Sequence, residues 1–365
     1  MHVLEGFPPE ALILTTAEAK DAVAWDAFVD NHPEGRFCQL WGYRDILRQA
    51  YGYVCKYYTL MAGNQCVGLF PSIVLRRGGG RLISQPFQEY GGPLFAPATH
   101  LPYARIAELL LEASLKQRCK SLEIRGGIGC DGLADSPLCA REKLYSYAVL
   151  NLANEEEMWR NSLTNEARKG VNRARKAGLS SEIRRGDACV EPPFYDLYLD
   201  SMKRLGVPPH AKKFFVAQAR IWGDRLVSCW IKQGDQTAAI LLGVVTGQRI
   251  QIYITVSLPT FYSGRPNDLA HWELIRWAAH SKLRLFDFGS ARYEGQIQFK
   301  KKWGVTLFDY YHYVLRNPGA SRQVSSQVVD TSSTFMTTAA KIWKAAVPLR
   351  FTQILGPPIR KYLTK

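Results

Sequence analysis

The sequence predicts an α/β (α+β) protein of two consecutive halves, each a mixed, largely antiparallel sheet flanked by helices. Three observations predict it. A chain of 365 residues that is 47% hydrophobic exceeds one ordinary core and is too apolar for general disorder, so two domains are expected. Each half opens on a helical stretch that leads into strands. In the second half, three strand-like runs follow one another with only short glycine turns between them, the pattern of an antiparallel meander.

Taken in order, QLWGYRDILRQAYGY places Trp41, Leu47 and Ala50 at roughly helical spacing, and the runs KYYTLMAG and CVGLFPSIVLRR read as strands joined at Gly63-Asn64. RRGGGR at 76–81 falls where a hairpin or loop is expected. EYGGPLFAP reads as a loop, followed by a helix from about Pro102 to Arg118 and the strand SLEIRGG. The second half begins helically near Asn154. In SLTNEARKGVNRARKAGL, Leu163, Ala167, Val171 and Ala174 form one stripe and Arg168, Asn172 and Arg175 another, with Gly178 as the C-cap. The strand SSEIRR and helices around 192–205 and 210–222 lead to the meander RLVSCWIKQ, QTAAILLGVVTG and RIQIYITVS. After the loop LPTFYSGRPND, the helix LAHWELIRWAAHSKL is expected, capped by Asn267 or Asp268. The strand RLFDFG, a lysine-rich loop and the strand LFDYYHYVL complete it. The expected domains are 1–150 and 151–316, with a linker over 317–338 and a basic helical tail over 339–365.

Charge is unevenly placed. The net charge is +15. Lys and Arg stand against Asp and Glu as 15 to 15 over residues 1–150, 24 to 16 over 151–315 and 8 to 1 over 316–365. A basic second half and tail attract phosphates, nucleic acid or anionic lipid. The tail either packs on the first domain or lies on a membrane surface. Eight cysteines without a CxxC pair read as free thiols of a reducing compartment. The absence of a signal-like N-terminus and of a long apolar run favours a cytoplasmic location, with peripheral contact at the inner face of the membrane left open. No hydrolase or zinc-protease motif, Walker loop or strand-linked dinucleotide fingerprint is present, and no metal site is expected.

A meander, a loop, a long helix, a strand and a final strand follow the order of the GNAT acyltransferase core. That fold binds the donor pyrophosphate on backbone N–H groups before the long helix. Here that loop reads FYSGRPND, in which Pro266 removes a donor and Asp268 opposes phosphate. Two such halves, with QLWGYRDILRQAYG, EYGGPLF, ARKGVNRARKAGL, NDLAHWELIRWAAHSKLRLFDFGS and FKKKWG, resemble the Fem (FemABX) peptidyltransferases from about Trp25 to Leu315. The likeness is nearest to the FemAB-like proteins of exosortase (PEP-CTERM) and exopolysaccharide loci.

The resemblance implies aminoacyl transfer from aminoacyl-tRNA to an amine of a cell-envelope precursor, with no tightly bound cofactor. The acceptor would lie toward the first domain and the donor at the second, whose basic helix would contact the tRNA end. Arg168, Arg173 and Lys176 of that helix would hold an anionic ligand. Lys300 would stabilise the oxyanion or a phosphate, and Asp287 would accept a proton or fix the loop. Tyr253, Tyr262, Arg265, Asn267, Phe299 and Trp303 complete the expected substrate-binding set, and Lys301 and Lys302 read as solvated. Two other readings stand beside this one: a CoA-dependent N-acyltransferase of the same fold, and a non-catalytic basic module that binds anionic polymer or membrane.

Overall fold

The computed structural model describes residues 8–76, 79–88, 90–97, 101–126, 129–316 and 334–363. Its strands are β1 Leu12–Thr16, β2 Val54–Ala62, β3 Gln65–Leu75, β4 Arg81–Ile83, β5 Leu94–Phe95, β6 Ser121–Gly126, β7 Cys139–Asn151, β8 Ser180–Arg185, β9 Leu226–Gln233, β10 Gln236–Thr246, β11 Arg249–Ser257, β12 Leu285–Ala291 and β13 Thr306–Arg316. The helices are α1 Ala22–Asn31, α2 Trp41–Tyr51, α3 Tyr103–Lys116, α4 Glu155–Glu157, α5 Asn165–Lys176, α6 Phe194–Leu205, α7 Lys212–Trp222, α8 Pro266–His280, α9 Glu294–Lys301, α10 Thr334–Ala346 and α11 Leu349–Leu363. One mixed sheet holds all thirteen strands in the order β1-β2-β3-β4-β6-β13-β7-β12-β11-β10-β9-β8, with β5 on β3.

The two halves therefore share a sheet. Strand β13, from the end of the second half, lies between β6 and β7 of the first, and β7 pairs on its other side with β12. Strand β7 has no counterpart in the sequence reading, because CAREKLY leaves its first residues largely exposed and breaks the apolar alternation that marks a half-buried strand.

The meander forms as expected. Strands β9, β10 and β11 pair antiparallel and pack against α8, whose Leu269, Trp272, Leu274, Ile275 and Ala278 are buried. Helix α5 buries Ala167, Gly170, Val171 and Ala174. Gly170 is required by close approach, since a Cβ there would stand 2.0 Å from Asp268 Oδ2 on α8.

Several expectations are corrected. The lysine-rich segment is not a loop but the helix α9. Neither Asn267 nor Asp268 caps α8: Arg265, in the left-handed region at φ 58°, holds the cap position without a side-chain bond, and Asn267 Nδ2 donates instead to Ser257 Oγ. The tail packs chiefly on α6 of the second half, where Lys203 donates to the Val347 carbonyl and Arg360 to that of Pro208. From the first half, Tyr53 Oη donates to the Lys361 carbonyl and the Phe87 ring meets the Arg360 guanidinium. The expected linker lies outside the described residues over 317–333, and 334–338 already belong to α10.

Candidate functional site

Strands β11 and β12 run parallel and paired only over Arg249–Gln251 and Leu285–Asp287. Beyond that they separate. Each carries an irregularity at the point of divergence: the β10–β11 register shifts at Leu242/Gly243, which leaves Tyr253 unopposed, and the β12–β7 register shifts between Asp287 and Ser290. Gly289 sits in that second bulge at φ 72°, a left-handed conformation that a side chain disfavours. Bulges bend strands, and here they open a cleft of about 850 Å³ lined by β11, the end of β12, α9 and α11.

The chemistry of the lining is one-sided. Lys300, Arg292 and Arg360 contribute cationic groups, and no Asp or Glu is among the lining residues. Lys300 is buried and donates from Nζ to the Phe288 carbonyl at 2.7 Å and to the Ser290 carbonyl. Those two bonds fix its ammonium at the tip of β12, the bulged edge of the cleft. Phe288 and Phe299 line the apolar side around His271, whose ring lies parallel to Phe288 at 5.4 Å.

Two histidines in the wall are neutral. Burial first, then Lys302 and Lys300, holds His271 down at about 3, although its bond to the Asn267 carbonyl works the other way. A carbonyl only accepts, so His271 Nδ1 carries the proton it shares with Asn267 O at 2.7 Å, and Nε2 keeps its lone pair. Burial, then the Arg360 guanidinium, holds His210 well below the ordinary histidine value. The positive charge of the cleft therefore comes from lysine and arginine alone.

Of the expected site residues, Lys300, Phe299, Asn267 and Tyr253 line this cleft. Others do not. Asp287 is fully buried behind it: Oδ1 accepts from Tyr90 Oη at 2.8 Å and Gly289 N at 2.9 Å, and Oδ2 faces Arg36 Nε and Arg249 Nη1 at 3.1 Å each. Its oxygens are engaged by these groups, away from the cleft lining. Burial lowers Arg36, but Glu34 and Asp287 outweigh it and hold that guanidinium above its ordinary value. Arg249, penalised by burial and by Arg36, is lowered.

Arg168 caps its own neighbourhood, donating to the Trp159, Arg160 and Leu163 carbonyls. It is not among the residues that line the cleft. Trp303 is a fully buried core residue, and Tyr262 is exposed and accepts a bond from Arg204. Arg173 and Lys176 are exposed on α5, away from the cleft. Arg265 ends the turn before α8 and does not line it either. Lys302 is buried, not solvated, and bonds Asp268 Oδ1 at 2.6 Å. The first turn of α8 thus carries its own ion pair where the fold commonly places a phosphate. Lys301 alone of the three lysines is exposed.

Sequence reasoning missed His271, Arg292 and Arg360. His271 sits in a largely buried helix, and Arg360 reaches the cleft from a tail more than fifty residues from α9, so no local pattern marks either. Among the described residues no group of three or more His, Cys, Asp or Glu converges to hold a metal ion.

Residues 161–301, which include the meander, α8, the splayed pair and α9, match the Acetyltransferase (GNAT) domain family. The chain carries a GNAT-type acyltransferase domain. It is an acyltransferase. No functionally curated protein matches it significantly. Among solved structures, FemX is similar with a TM-score of 0.63 at 14% identity, covering 82% of this chain and 96% of that one. The C-terminal domain of a putative lysylphosphatidylglycerol synthetase from Agrobacterium fabrum is similar with a TM-score of 0.56 at 12% identity, over 83% and 93%. A tandem GNAT protein from the clavulanic acid biosynthesis pathway gives 0.52 at 11%, over 85% and 99%. At these identities the likeness is one of fold, and it extends across both halves of the chain.

Proposed function

We propose that this acyltransferase moves an acyl or aminoacyl group onto an amino group of an anionic cell-envelope or exopolysaccharide precursor, in the cleft between β11 and β12. The observation that carries the reading is a cleft walled by three cations and no carboxylate. In the transfer, the neutral amine nitrogen bonds to the acyl carbon, a tetrahedral oxyanion forms and collapses, the ester or thioester bond to the donor breaks, and the amine's proton passes to the departing oxygen or sulfur, which leaves as the alcohol or thiol. Lys300, pinned to the carbonyls of Phe288 and Ser290, places positive charge where the oxyanion or a substrate phosphate lies. His271 Nε2 accepts a hydrogen bond from the incoming amine. Arg292 and Arg360 hold the anionic portion of the substrate.

The resemblance of the sequence motifs to the Fem peptidyltransferases favours aminoacyl-tRNA as donor, and the basic balance of 151–315 accords with a tRNA end. The acceptor then approaches from residues 1–150 and the donor from 151–316, the two proposed domains. The match to an acetyltransferase family favours acyl-CoA as the second reading. The Asp268–Lys302 pair at α8 speaks against it, because a carboxylate occupies the turn where a CoA pyrophosphate would be held.

The deciding experiment measures thermal stabilisation and transfer with acetyl-CoA, longer acyl-CoA and aminoacyl-tRNA as donors, using aminosugar and amino-acid acceptors bearing phosphate. Transfer from aminoacyl-tRNA, lost in Lys300→Met, is expected. Stabilisation and turnover with CoA donors alone would reverse the order of the two readings. Full transfer by Lys300→Met would remove lysine from the chemistry.

A further inference from the structure

Helix α11 is inside out. Its inward residues are Thr352, fully buried, and Gly356, at which a Cβ would stand 2.2 Å from Pro209 Cδ. Its outward residues are large and apolar: Phe351, Ile354, Leu355 and Tyr362 are 42%, 63%, 47% and 64% exposed. With Pro358 they stand at i, i+3, i+4, i+7 and i+11, a stripe within an arc of about 100°. An ordinary surface helix does the reverse, turning its apolar stripe to the core. Here Gly356 allows the backbone to sit close against the protein while the stripe faces away.

The charge around the stripe names its occupant. Arg350 and Lys361 lie along one flank and are exposed, and α10 adds exposed Ile342, Lys341 and Lys344. Between Thr334 and Leu363 there is no Asp or Glu. An apolar stripe bordered only by Lys and Arg is the design of a helix that lies in the plane of an anionic lipid surface. It has no acid with which to pair the basic rim of a second copy of itself.

We propose that α10 and α11 seat this protein on an anionic phospholipid bilayer, with Phe351, Ile354, Leu355 and Tyr362 entering the headgroup boundary. The same helix presents Arg360 to the cleft from its inward side. The seat therefore sets the cleft beside the membrane, within reach of a lipid-linked phosphate. This inference stands on the tail and does not depend on the donor or on Lys300.

The test is flotation of the full chain with vesicles of phosphatidylcholine containing about a quarter phosphatidylglycerol, and with phosphatidylcholine alone. The expected result is binding to the anionic vesicles that weakens as salt rises. Ile354→Asp with Leu355→Asp should abolish binding while leaving the melting temperature and transfer between soluble substrates unchanged. Arg350→Gln with Lys361→Gln should weaken it about 30-fold, roughly fivefold per charge. Wild-type protein that stays unbound, or binding unaffected by the two aspartates, would overturn the proposal. So would a wild-type dimer that the aspartates convert to a monomer, which would give the stripe to a second copy. Loss of transfer with vesicle binding intact would count against the proposed function and leave the seat standing.

Discussion

Replacing Asp287 with alanine separates a structural from a catalytic reading of that residue. Its carboxylate is fully buried and sits 3.1 Å from the guanidinium groups of both Arg36 and Arg249, whose side chains are 4% and 5% exposed. Without it, Glu34 alone remains, at 3.0 Å from Arg36 and 3.8 Å from Arg249, against two buried cations. Removing one partner of a buried ion pair costs about 3–5 kcal/mol, because the remaining charge keeps its desolvation penalty and loses its compensation. Against a whole-protein stability of roughly 5–15 kcal/mol, and an unfolding entropy of about 0.8 kcal/mol/K for 365 residues, that loss lowers the melting temperature by about 4–7 °C. Asp287→Asn, which keeps the acceptor for Gly289 N but not the charge, should lie between alanine and wild type. The assay is thermal unfolding by circular dichroism alongside the transfer rate below the transition. If Asp287→Ala melts within a degree or two of wild type but transfers nothing, the carboxylate is catalytic and its assignment to the buried cluster's stability fails.

Two further outcomes follow from burial. Lys302→Met should destabilise by about 3–5 kcal/mol, since it leaves Asp268 buried and unpaired, whereas Lys301→Ala should stay within about 0.5 kcal/mol; urea unfolding of the two variants checks this. His271 binds its proton at about 3 in the folded chain and near 6.5 when unfolded, so the unfolded state takes up the extra proton between those values and stability falls as pH drops from 6.5 toward 3. Glu123, pushed up by burial but held at about 2 by His312 and Arg81, adds a loss that begins only below about 4.5. His210 and His32, also lowered by burial, contribute falls in the same direction, so His271→Phe should make the decline below pH 6.5 shallower without abolishing it, as read from urea midpoints across pH.

The meander and α8 are legible in the sequence because their signals are local: apolar runs closed by Gly-Asp and Gly-Gln, then a fifteen-residue helical run rich in Leu, Ile, Trp and Ala. Strand β7 is not, because its exposed first half carries no alternation and its pairing with β12 and β13 joins residues far apart in sequence. The site divides the same way. Phe299 and Lys300 could be placed from FKKKWG and the strand before it. The partners that decide which lysine does what could not: Asp268 lies 34 residues from Lys302, and Arg36 lies in the other half from Asp287. Local pattern sees the side chain, and only the fold shows the charge it meets. The outward stripe of α11 was visible as composition, but its inversion depends on Gly356 meeting Pro209, a contact without a sequence signature.

Lys300 and Lys302 show how strongly that matters. Two residues apart at the end of a helix, they differ by about 200° in direction, and the fold uses them for opposite ends. Lys302 turns to α8 and neutralises Asp268; Lys300 turns to the splayed strands and donates to the carbonyls of Phe288 and Ser290. The start of α8 carries an ion pair, while the cleft lining holds Lys300, Arg292 and Arg360 and no Asp or Glu. On the proposed reading, an anionic ligand is therefore expected in the splay, and not on the first turn of α8 as in an open helix-terminus site. Lys300→Met and Arg292→Ala should each weaken binding of a phosphate-bearing acceptor by about tenfold or more, the scale of one lost charge-assisted hydrogen bond, while Arg265→Ala, beside α8, should leave it within twofold. Titration of each variant by calorimetry decides the matter: a large loss in Arg265→Ala with none in Arg292→Ala would return the anion to α8 and require Asp268 and Lys302 to part when the ligand arrives.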